Sequence, residues 1–588
     1  MSIRLLLSLL LLALFACKQD VPADGDQSAP ATAITFKNND NTLRIGVPVE
    51  PPSLNPVLSI AANARAAREL IFQTLTSQDP QTFRQVPQLA TTPDIRPEAD
   101  GSVSYSYTLD ERAKWPNGLP VTAADVIFSL KLLMNPLVPA GAQRSYYTDV
   151  RTIVTSPNNE RRFRVVMAKP YLLAEKSLGS LTIYPEYFYD PDKRLRNVRL
   201  ADLTNTRTAE RLAETNEDLK AFAEAFNQPE LNNDPEKLVG SGPYRLESWE
   251  AGQRLTFVKR DDYWAEGTRN EWMMAKPERI VMEIIPDPAT MLTALRDEKV
   301  DLALGLGVEQ FLDNKDDAFL NEHYDFTTVG GLNFFSILLN QNNPLLREVA
   351  TRRALAHLVD IDAIIEQLLP DGLATRLSGP VLPAKDYYAD LPNIDYDPDR
   401  AAALLTEAGW GDSNGDGTLD RTVDGTLQEL KLDFRVFPSS TSTAIGALVK
   451  EWAAEAGVEI NVIPQAPRAL YEELNKGNFT LALQGLSMAA DPDDFTQVWA
   501  STSVPPNGSN RSGFADKRAD QLIRQIARST DAGDREPLYR EFQQIIYDNQ
   551  PMVFLFSPAT RLVVSKRFAY SPTQLSPGIF FGAMALRE

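Results

Sequence analysis

Alternating apolar and polar positions predict strands along most of the chain. Leu43, Ile45 and Val47 alternate with polar or small residues, and "VSYSYTLD" at residues 103–110 repeats this period of two. "FFSILLNQNNP" at residues 334–344 is nearly continuous in apolar residues, which predicts a strand buried on both faces. Strand and helix patterns alternate again from about residue 430 to "PMVFLFSP". The pattern predicts an α/β fold.

Helical spacing marks one segment with a clear start signal. Thr122 precedes apolar residues spaced three and four apart, and Asp125 follows three positions later. Thr at the cap with an acidic residue three positions on is a capping-box pattern. A scaffold helix is therefore predicted from about residue 123.

Two more segments are predicted as helices. Residues 200–227 show an apolar stripe that includes Leu219 and Phe222, and we expect one long helix that packs on its own domain or docks a partner. Residues 348–369 are predicted as a helix whose Arg352 and Arg353 lie on a solvated edge.

Length and charge narrow the class of protein. The chain has 588 residues, which is more than a single hydrophobic core usually supports, so several lobes are expected. Its formal net charge is −20, and no basic stripe occurs. Because neutralising phosphates requires clustered Lys and Arg, nucleic acid is excluded as a partner.

The N-terminus predicts export and a lipid anchor. Arg4 precedes an apolar run, and Cys17, the single cysteine, ends "LFAC". "LFAC" resembles the bacterial lipobox, in which the cysteine is acylated, although Phe15 stands where a small residue is usual. Residues 1–17 are then a lipoprotein signal peptide, and residues 18–35, rich in Ala, Pro, Asp and Ser, a flexible tether. By the same resemblance, Lys18 favours the outer membrane of a two-membrane envelope.

Motifs for catalysis are missing from the sequence. His323 and His357 are the two histidines, and neither lies in a zinc motif or near a nucleophile elbow. No phosphate-binding or dinucleotide loop occurs. The protein is therefore predicted to bind a ligand without catalysis and to need no cofactor.

One loop has the spacing of a weak calcium site. Asp412, Asn414, Asp416 and Asp420 occupy positions 1, 3, 5 and 9 of a loop similar to an EF-hand. Position 12 is Val423, so the bidentate carboxylate is missing. A turn held by hydrogen bonds from side chains to its own backbone is the favoured interpretation, with calcium binding as the alternative.

Several segments in a fixed order carry a family resemblance. They are "EPPSLNP", "VPQLA", "AKWPNGLPVTAADVIFSLK", "VGSGPYRLESWEAGQ", "LLNQNNPLLREVATRRALAHLVD" and "AGWGDSNGDGTLD". Together they resemble the extracytoplasmic solute-binding proteins of the peptide/nickel ABC-transporter family, of the oligopeptide- and dipeptide-binding type. The matching pieces run from about residue 43 to residue 560.

This resemblance implies a two-lobed periplasmic-binding-protein fold with a hinge. Lobe I is expected to be discontinuous and lobe II to be inserted into it, with a small extra subdomain. The expected bounds are 36–75, 181–340 and 549–588 for lobe I, 76–180 for the small subdomain and 341–548 for lobe II. It also implies a monomer in the periplasm or cell envelope that delivers peptides to an ABC permease and its ATPase, touching the membrane through its lipid anchor alone.

Ligand residues follow from the resemblance as well. In peptide-binding relatives an Asp in a segment like "ADPDDF" holds the ligand α-ammonium, and Asp491 in "MAADPDDF" matches it, with Asp493 and Asp494 as neighbours. The Gly-Trp that precedes this segment in the family is replaced here by "GLSM". No arginine is singled out for a ligand carboxylate.

Two alternatives stay open from the sequence. The same fold could bind another solute, such as a sugar or a metal chelate. The chain could also be a surface lipoprotein whose main role is protein–protein interaction through the segment 200–227.

Overall fold

The computed structural model describes residues 35–59, 61–488, 490, 492–506 and 508–587. The predicted signal peptide with Cys17, and most of the tether, lie outside these residues. In the described part, no helix is long and apolar enough to cross a membrane.

Strands and helices alternate as the α/β prediction requires. In chain order the strands are β1 Thr42–Val47, β2 Thr76–Gln78, β3 Gln85–Pro87, β4 Asp94–Pro97, β5 Val103–Thr108, β6 Val150–Ser156, β7 Asn159–Met167, β8 Tyr244–Glu250, β9 Arg254–Lys259, β10 Arg279–Ile284, β11 Leu302–Leu304, β12 Tyr324–Gly330, β13 Asn333–Leu339, β14 Ala374–Arg376, β15 Asp420–Val423, β16 Thr426–Glu429, β17 Lys431–Val436, β18 Glu459–Pro464, β19 Leu481–Ser487, β20 Met552–Ser565, β21 Phe568–Ala569 and β22 Ala585–Leu586.

The α-helices fall mainly between these strands. They are α1 Arg65–Ile71, α2 Ala123–Met134, α3 Gly141–Arg144, α4 Ala174–Gly179, α5 Glu186–Tyr189, α6 Leu200–Thr204, α7 Thr206–Thr215, α8 Glu217–Phe226, α9 Pro288–Arg296, α10 Val308–Asn314, α11 Ala318–His323, α12 Val349–His357, α13 Ile361–Leu368, α14 Pro398–Glu407, α15 Ser440–Glu455, α16 Pro467–Lys476, α17 Thr496–Trp499, α18 Lys517–Arg528 and α19 Ala532–Asn549.

One long strand joins two halves of a mixed sheet. The order is β18-β17-β19-β13-β20-β11-β1-β10-β9-β8, with β12 and β14 also paired to β20. The first part of β20 pairs with β13, and its last part, from Ala559, pairs with β12. We call the half with β1 and β8–β12 lobe I, and the half with β13, β14 and β17–β19 lobe II. The structure thus has the predicted two-lobed α/β architecture.

The chain crosses between the lobes at two adjacent places. The first crossing is residues 331–332, between β12 and β13. The second lies within β20 between Pro558, which pairs with β14, and Ala559, which pairs with β12. The Ser557 hydroxyl donates to the Gly331 carbonyl at 3.2 Å, so the two connections touch. The predicted lobe bounds by residue number remain a prediction. In the structure β13 and the start of β20 pair within lobe II.

A separate four-stranded sheet lies within the range expected for the small subdomain. Its order is β4-β5-β7-β6. Tyr105 and Tyr107 of β5 are buried in one hydrophobic cluster with Leu43 and Ile45 of β1. The small sheet therefore shares its core with lobe I.

The capping box predicted for α2 is confirmed. The Thr122 backbone N–H and hydroxyl both donate to the Asp125 carboxylate, at 2.9 and 3.1 Å. The other carboxylate oxygen accepts from the Glu186 backbone N–H at 3.2 Å. Burial raises the pKa of Asp125, so this carboxyl group depends on these donors to stay charged.

Replacing Asp125 should test how much this start signal stabilises the fold. Asp125→Ala leaves the backbone donors of Thr122 and Glu186 without their acceptor, and we expect a loss of about 1–3 kcal/mol in the free energy of unfolding. Urea denaturation followed by circular dichroism measures the change. Thr122→Ser, which keeps a hydroxyl cap, serves as the control. An unchanged midpoint for Asp125→Ala would show that the capping box is not stabilising here.

The single helix predicted for residues 200–227 is wrong. The segment forms α6, α7 and α8, because Asn205 and Asn216 turn the chain and their side chains accept from the backbone N–H groups of Thr208 and Leu219. The apolar face of α8, including Phe222, is buried in the core of lobe I. The apolar stripe that suggested a docking helix thus packs inside lobe I.

The prediction for residues 348–369 also needs correction. Asp360 caps a second helix, so the segment divides into α12 and α13. Arg352 does not lie on a solvated edge. It is 1% exposed, and its guanidinium donates to the backbone carbonyls of Leu346, Arg347, Asn549 and Gln550.

Candidate functional site

A large cavity opens between the lobes. This outer compartment has a volume of about 1010 Å³. One wall comes from lobe I, including Tyr146 and Tyr171, and the other from lobe II, including Asp494 and Arg524. The lobes touch beside it, where the Leu172 backbone N–H donates to the Ala527 carbonyl at 2.8 Å. The cavity is therefore a cleft between the two lobes, which contact each other at its rim.

A second cavity continues the cleft toward the crossing strands. This inner compartment has a volume of about 660 Å³ and is lined by lobe I residues on α1 and β2, by the crossing residues 331–332, and by the end of β19. Ser487 and Met488 line both compartments. A solute could thus extend from the outer compartment into the inner one.

The loop after β19 contains the residues predicted to anchor the ligand. Asp491 lies outside the described residues, so its predicted role is not addressed by the structure. Its neighbours on either side border the cleft: Ala490 lines the inner compartment, and Asp493 and Asp494 line the outer one. The sequence motif therefore falls at the cleft.

Asp493 is buried in lobe II, where other side chains hold its carboxylate and its backbone. It is 3% exposed, its carboxylate lies 3.5 Å from the Lys385 ammonium group, and it accepts from the Tyr387 hydroxyl at 2.9 Å. Tyr539 donates to the Asp493 backbone carbonyl at 2.5 Å. Lys385 also donates to the Ala490 carbonyl. These contacts fix both ends of the loop around Asp491.

Asp494 is placed differently from its neighbour. It is half-buried, and its carboxylate accepts from the Thr496 backbone N–H at 2.9 Å. Burial raises the pKa of Tyr171 on the facing wall, and the negative charge of Asp494 adds to this rise. Asp494 therefore gives the outer compartment a local negative charge opposite lobe I.

The inner compartment contains a charged group that sequence reasoning missed. Arg65, Arg68 and Glu69 line it from α1, and Lys176 lines it from α4. Arg65 pairs with Glu69 at 2.8 Å, with its guanidinium carbon 5.5 Å from the centre of the Trp272 ring. Residues three and four apart share one helix face. Nothing in the local sequence shows that this face borders a cavity.

The loop with calcium-like spacing is held by its own backbone. The Asp412 carboxylate accepts from the backbone N–H groups of Gly415 and Gly417 at 2.7 and 3.0 Å. The Asp420 carboxylate accepts from the Ser413 backbone and hydroxyl. The Asn414 side-chain amide donates a hydrogen bond to the Asp416 carboxylate at 2.9 Å. These contacts match the turn interpretation, and calcium binding stays a prediction.

Histidines lie away from the cleft. His323 stacks on Phe319 with ring centres 4.2 Å apart, and His357 contacts the Asp395 carbonyl at 2.9 Å. Among the described residues, no group of three or more His, Cys, Asp or Glu could hold a metal ion.

Comparison with known proteins places this architecture. Residues 84–507 match the family model described as bacterial extracellular solute-binding proteins, family 5 Middle. The chain is 24% identical over 584 residues to the oligopeptide-binding protein AppA of Bacillus subtilis (strain 168), covering 97% of this chain and 96% of AppA. It is 25% identical over 558 residues to heme-binding protein A of Haemophilus influenzae, covering 92% and 91%.

A solved structure supports the same fold. The structure of AppA from Bacillus subtilis in complex with a nonapeptide matches with a TM-score of 0.67 and 22% identity, covering 93% of this chain and 99% of that one. The family model spans well over half of the chain. The chain therefore belongs to the bacterial extracellular solute-binding proteins of family 5.

Proposed function

We propose that this protein is a lipid-anchored extracytoplasmic receptor that captures peptides in the interlobe cleft and delivers them to an ABC importer. The observation that carries the proposal is the cleft, with its outer compartment of about 1010 Å³ and a further compartment behind it. Typical small-molecule sites occupy about 300–1,000 Å³ in total. The space therefore suits an extended solute, and AppA is named for binding oligopeptides.

The lining of the cleft supports peptides over a metal ion held by the protein. Inner-compartment walls carry many amide and hydroxyl side chains, including Thr74, Gln88, Asn333 and Gln574. Such groups, with bridging waters, can pair with a peptide backbone without selecting its side chains. Neither histidine lines either compartment.

Asp491 is proposed as the anchor for the ligand α-ammonium group, with Asp494 as the neighbouring charge. Support comes from the position of the loop, whose described residues border both compartments. Asp493 is the weaker candidate because its carboxylate already faces Lys385 and Tyr387.

Native mass spectrometry of the full chain, purified in detergent, tests peptide capture. We expect a ladder of bound peptide masses as purified, lost in Asp491→Asn and retained in the control variant Asp313→Asn, whose side chain is exposed on α10. Loss in Asp494→Asn instead would move the anchor to that residue. A single non-peptide mass would replace peptides with another solute, such as a sugar or a metal chelate.

The lipid anchor is proposed from the lipobox-like "LFAC" sequence. Two or three acyl chains anchor a protein stably where one is marginal. Labelled palmitate should enter the wild-type chain in a bacterial host and be absent from Cys17→Ser. Equal labelling of both would contradict acylation at Cys17.

A further inference from the structure

Positive charge is concentrated on the lining of the inner compartment. Arg65, Arg68 and Lys176 line it, and Glu69 is the one carboxylate among its described lining residues. The outer compartment differs, since Asp149, Asp493, Asp494 and Asp520 line it alongside its lysine and arginines. An anionic group entering the cleft is therefore drawn to the inner end.

Each of the two arginines is held from one side and open to the cavity on another. The Arg65 Nε donates to Glu69 at 2.8 Å while its guanidinium lies beside the Trp272 ring. Arg68 Nη1 donates to the Ser59 carbonyl. A guanidinium has five N–H donors in a fixed fork, and no other hydrogen bond of these two groups occurs within the described residues. The remaining donors are available to a ligand in a preset orientation.

The charge of Arg68 is poorly compensated by the protein. No carboxylate of the described residues lies within salt-bridge distance of its guanidinium, whereas Arg65 has Glu69. Burial lowers the pKa of Arg68, and burial raises the pKa of Glu69. Both changes reflect charges removed from water. A second anion near Arg68 would relieve this imbalance.

We propose that Arg65 and Arg68 form a carboxylate-binding subsite at the inner end of the cleft, which takes a carboxylate of the captured solute. This proposal rests on the proposed function in taking that solute to be a peptide. The carboxylate is either the peptide C-terminus or an acidic side chain. Guanidinium forks bind carboxylates through paired hydrogen bonds that an ammonium group does not reproduce.

Glu69 competes with the ligand for Arg65 in this arrangement. Its carboxylate holds the Arg65 Nε, so a ligand carboxylate shares that guanidinium with it. Removing the negative charge of Glu69 should therefore tighten binding, whereas removing either arginine should weaken it. Opposite effects from neighbours on one helix separate ligand binding from a general loss of structure.

The experiment compares the full wild-type chain with Arg65→Gln, Arg68→Gln, Arg68→Lys and Glu69→Gln. The probes are a random pentapeptide library with free C-termini, the same library with C-terminal amides and without Asp or Glu, an amidated library containing Glu, and succinate. Bound fractions are measured by mass spectrometry after equilibrium dialysis. Arg207→Gln, exposed on α7, is the matched control.

We expect the wild-type chain to retain the free-acid library, with an apparent Kd roughly ten- to a hundredfold higher in Arg68→Gln. Arg68→Lys should have an affinity between those of the wild type and Arg68→Gln, and Glu69→Gln should bind several-fold more tightly than the wild type. The Arg207→Gln control should match the wild type. Retention of the amidated Glu library together with the free-acid library assigns the carboxylate to a side chain. Retention of the free-acid library alone assigns it to the C-terminus.

Two outcomes overturn the subsite. Equal retention of the acid library and the amidated library without Asp or Glu refutes it while peptide capture stands. Binding of no probe at all refutes both proposals. In a further outcome the wild type binds no peptide library but binds succinate, and Arg68→Gln loses succinate binding. That outcome supports the subsite and refutes peptide capture.

Discussion

A Lys385→Met variant is expected to lose about 3–5 kcal/mol in the free energy of unfolding. The substitution removes the cation that lies 3.5 Å from the Asp493 carboxylate, and both side chains are almost fully buried. An uncompensated charge in such a place costs more than the pair contributes, which is why breaking one side of a buried pair is so unfavourable. Chemical denaturation followed by tryptophan fluorescence measures the loss.

Removing both members of the pair should cost less than removing one. Lys385→Met with Asp493→Asn removes both charges of the pair, so the double variant should recover a large part of the stability lost in Lys385→Met. Lys431→Met is the control: Lys431 makes two ion pairs on the exposed surface, so its removal should leave the denaturation midpoint nearly unchanged. If the stability losses of the two single variants simply add in the double variant, Lys385 and Asp493 do not stabilise each other. Peptide capture should fall in Lys385→Met, because Lys385 also holds Ala490 at the inner compartment.

An Arg352→Met variant is expected to lose a similar amount, about 3–5 kcal/mol. Arg352 connects the end of α19 to the turn before α12, through donors to Asn549, Gln550, Leu346 and Arg347. Each buried carbonyl left without a donor adds a cost. Burial lowers the pKa of Arg352 to about 10, so the group is still charged at neutral pH.

The adjacent arginine provides the control for this prediction. Arg353 is half-buried, with its guanidinium carbon 5.6 Å from the centre of the Tyr547 ring, and Arg353→Met should cost less than about 1 kcal/mol. Arg352→Lys keeps a charge but reaches fewer carbonyls, so an intermediate stability is expected. Equal denaturation midpoints for Arg352→Met and Arg353→Met would show that the buried contacts contribute nothing.

Local patterns were predictable where the signal and its partner lie close in sequence. Strands β1 and β5 follow from alternation, and the start of α2 follows from Thr122 and Asp125, three residues apart. The breaks within residues 200–227 were missed because Asn205 and Asn216 lie inside a continuous apolar stripe. An asparagine is compatible with both a helix interior and a cap, and packing decides between them.

Contacts between distant residues could not be derived from the sequence. Arg352 was predicted to be solvated because its helix position alone does not show that the carbonyl of Asn549 lies against it. Lys385 and Asp493 are likewise far apart in the chain. The arginines of α1 line a cavity that exists because lobe II faces them. The family resemblance located the loop around Asp491, and the structure supplied its surroundings.

The adjacent crossings have a consequence for how mechanical load passes through the molecule. Both described ends of the chain belong to lobe I: Lys37 donates to Glu298, and Phe568 and Met584 are buried in one core with Leu43 of β1. The chain therefore enters and leaves lobe II at adjacent points, where Ser557 is hydrogen-bonded to Gly331. Tension applied between the two ends runs through lobe I and bypasses lobe II.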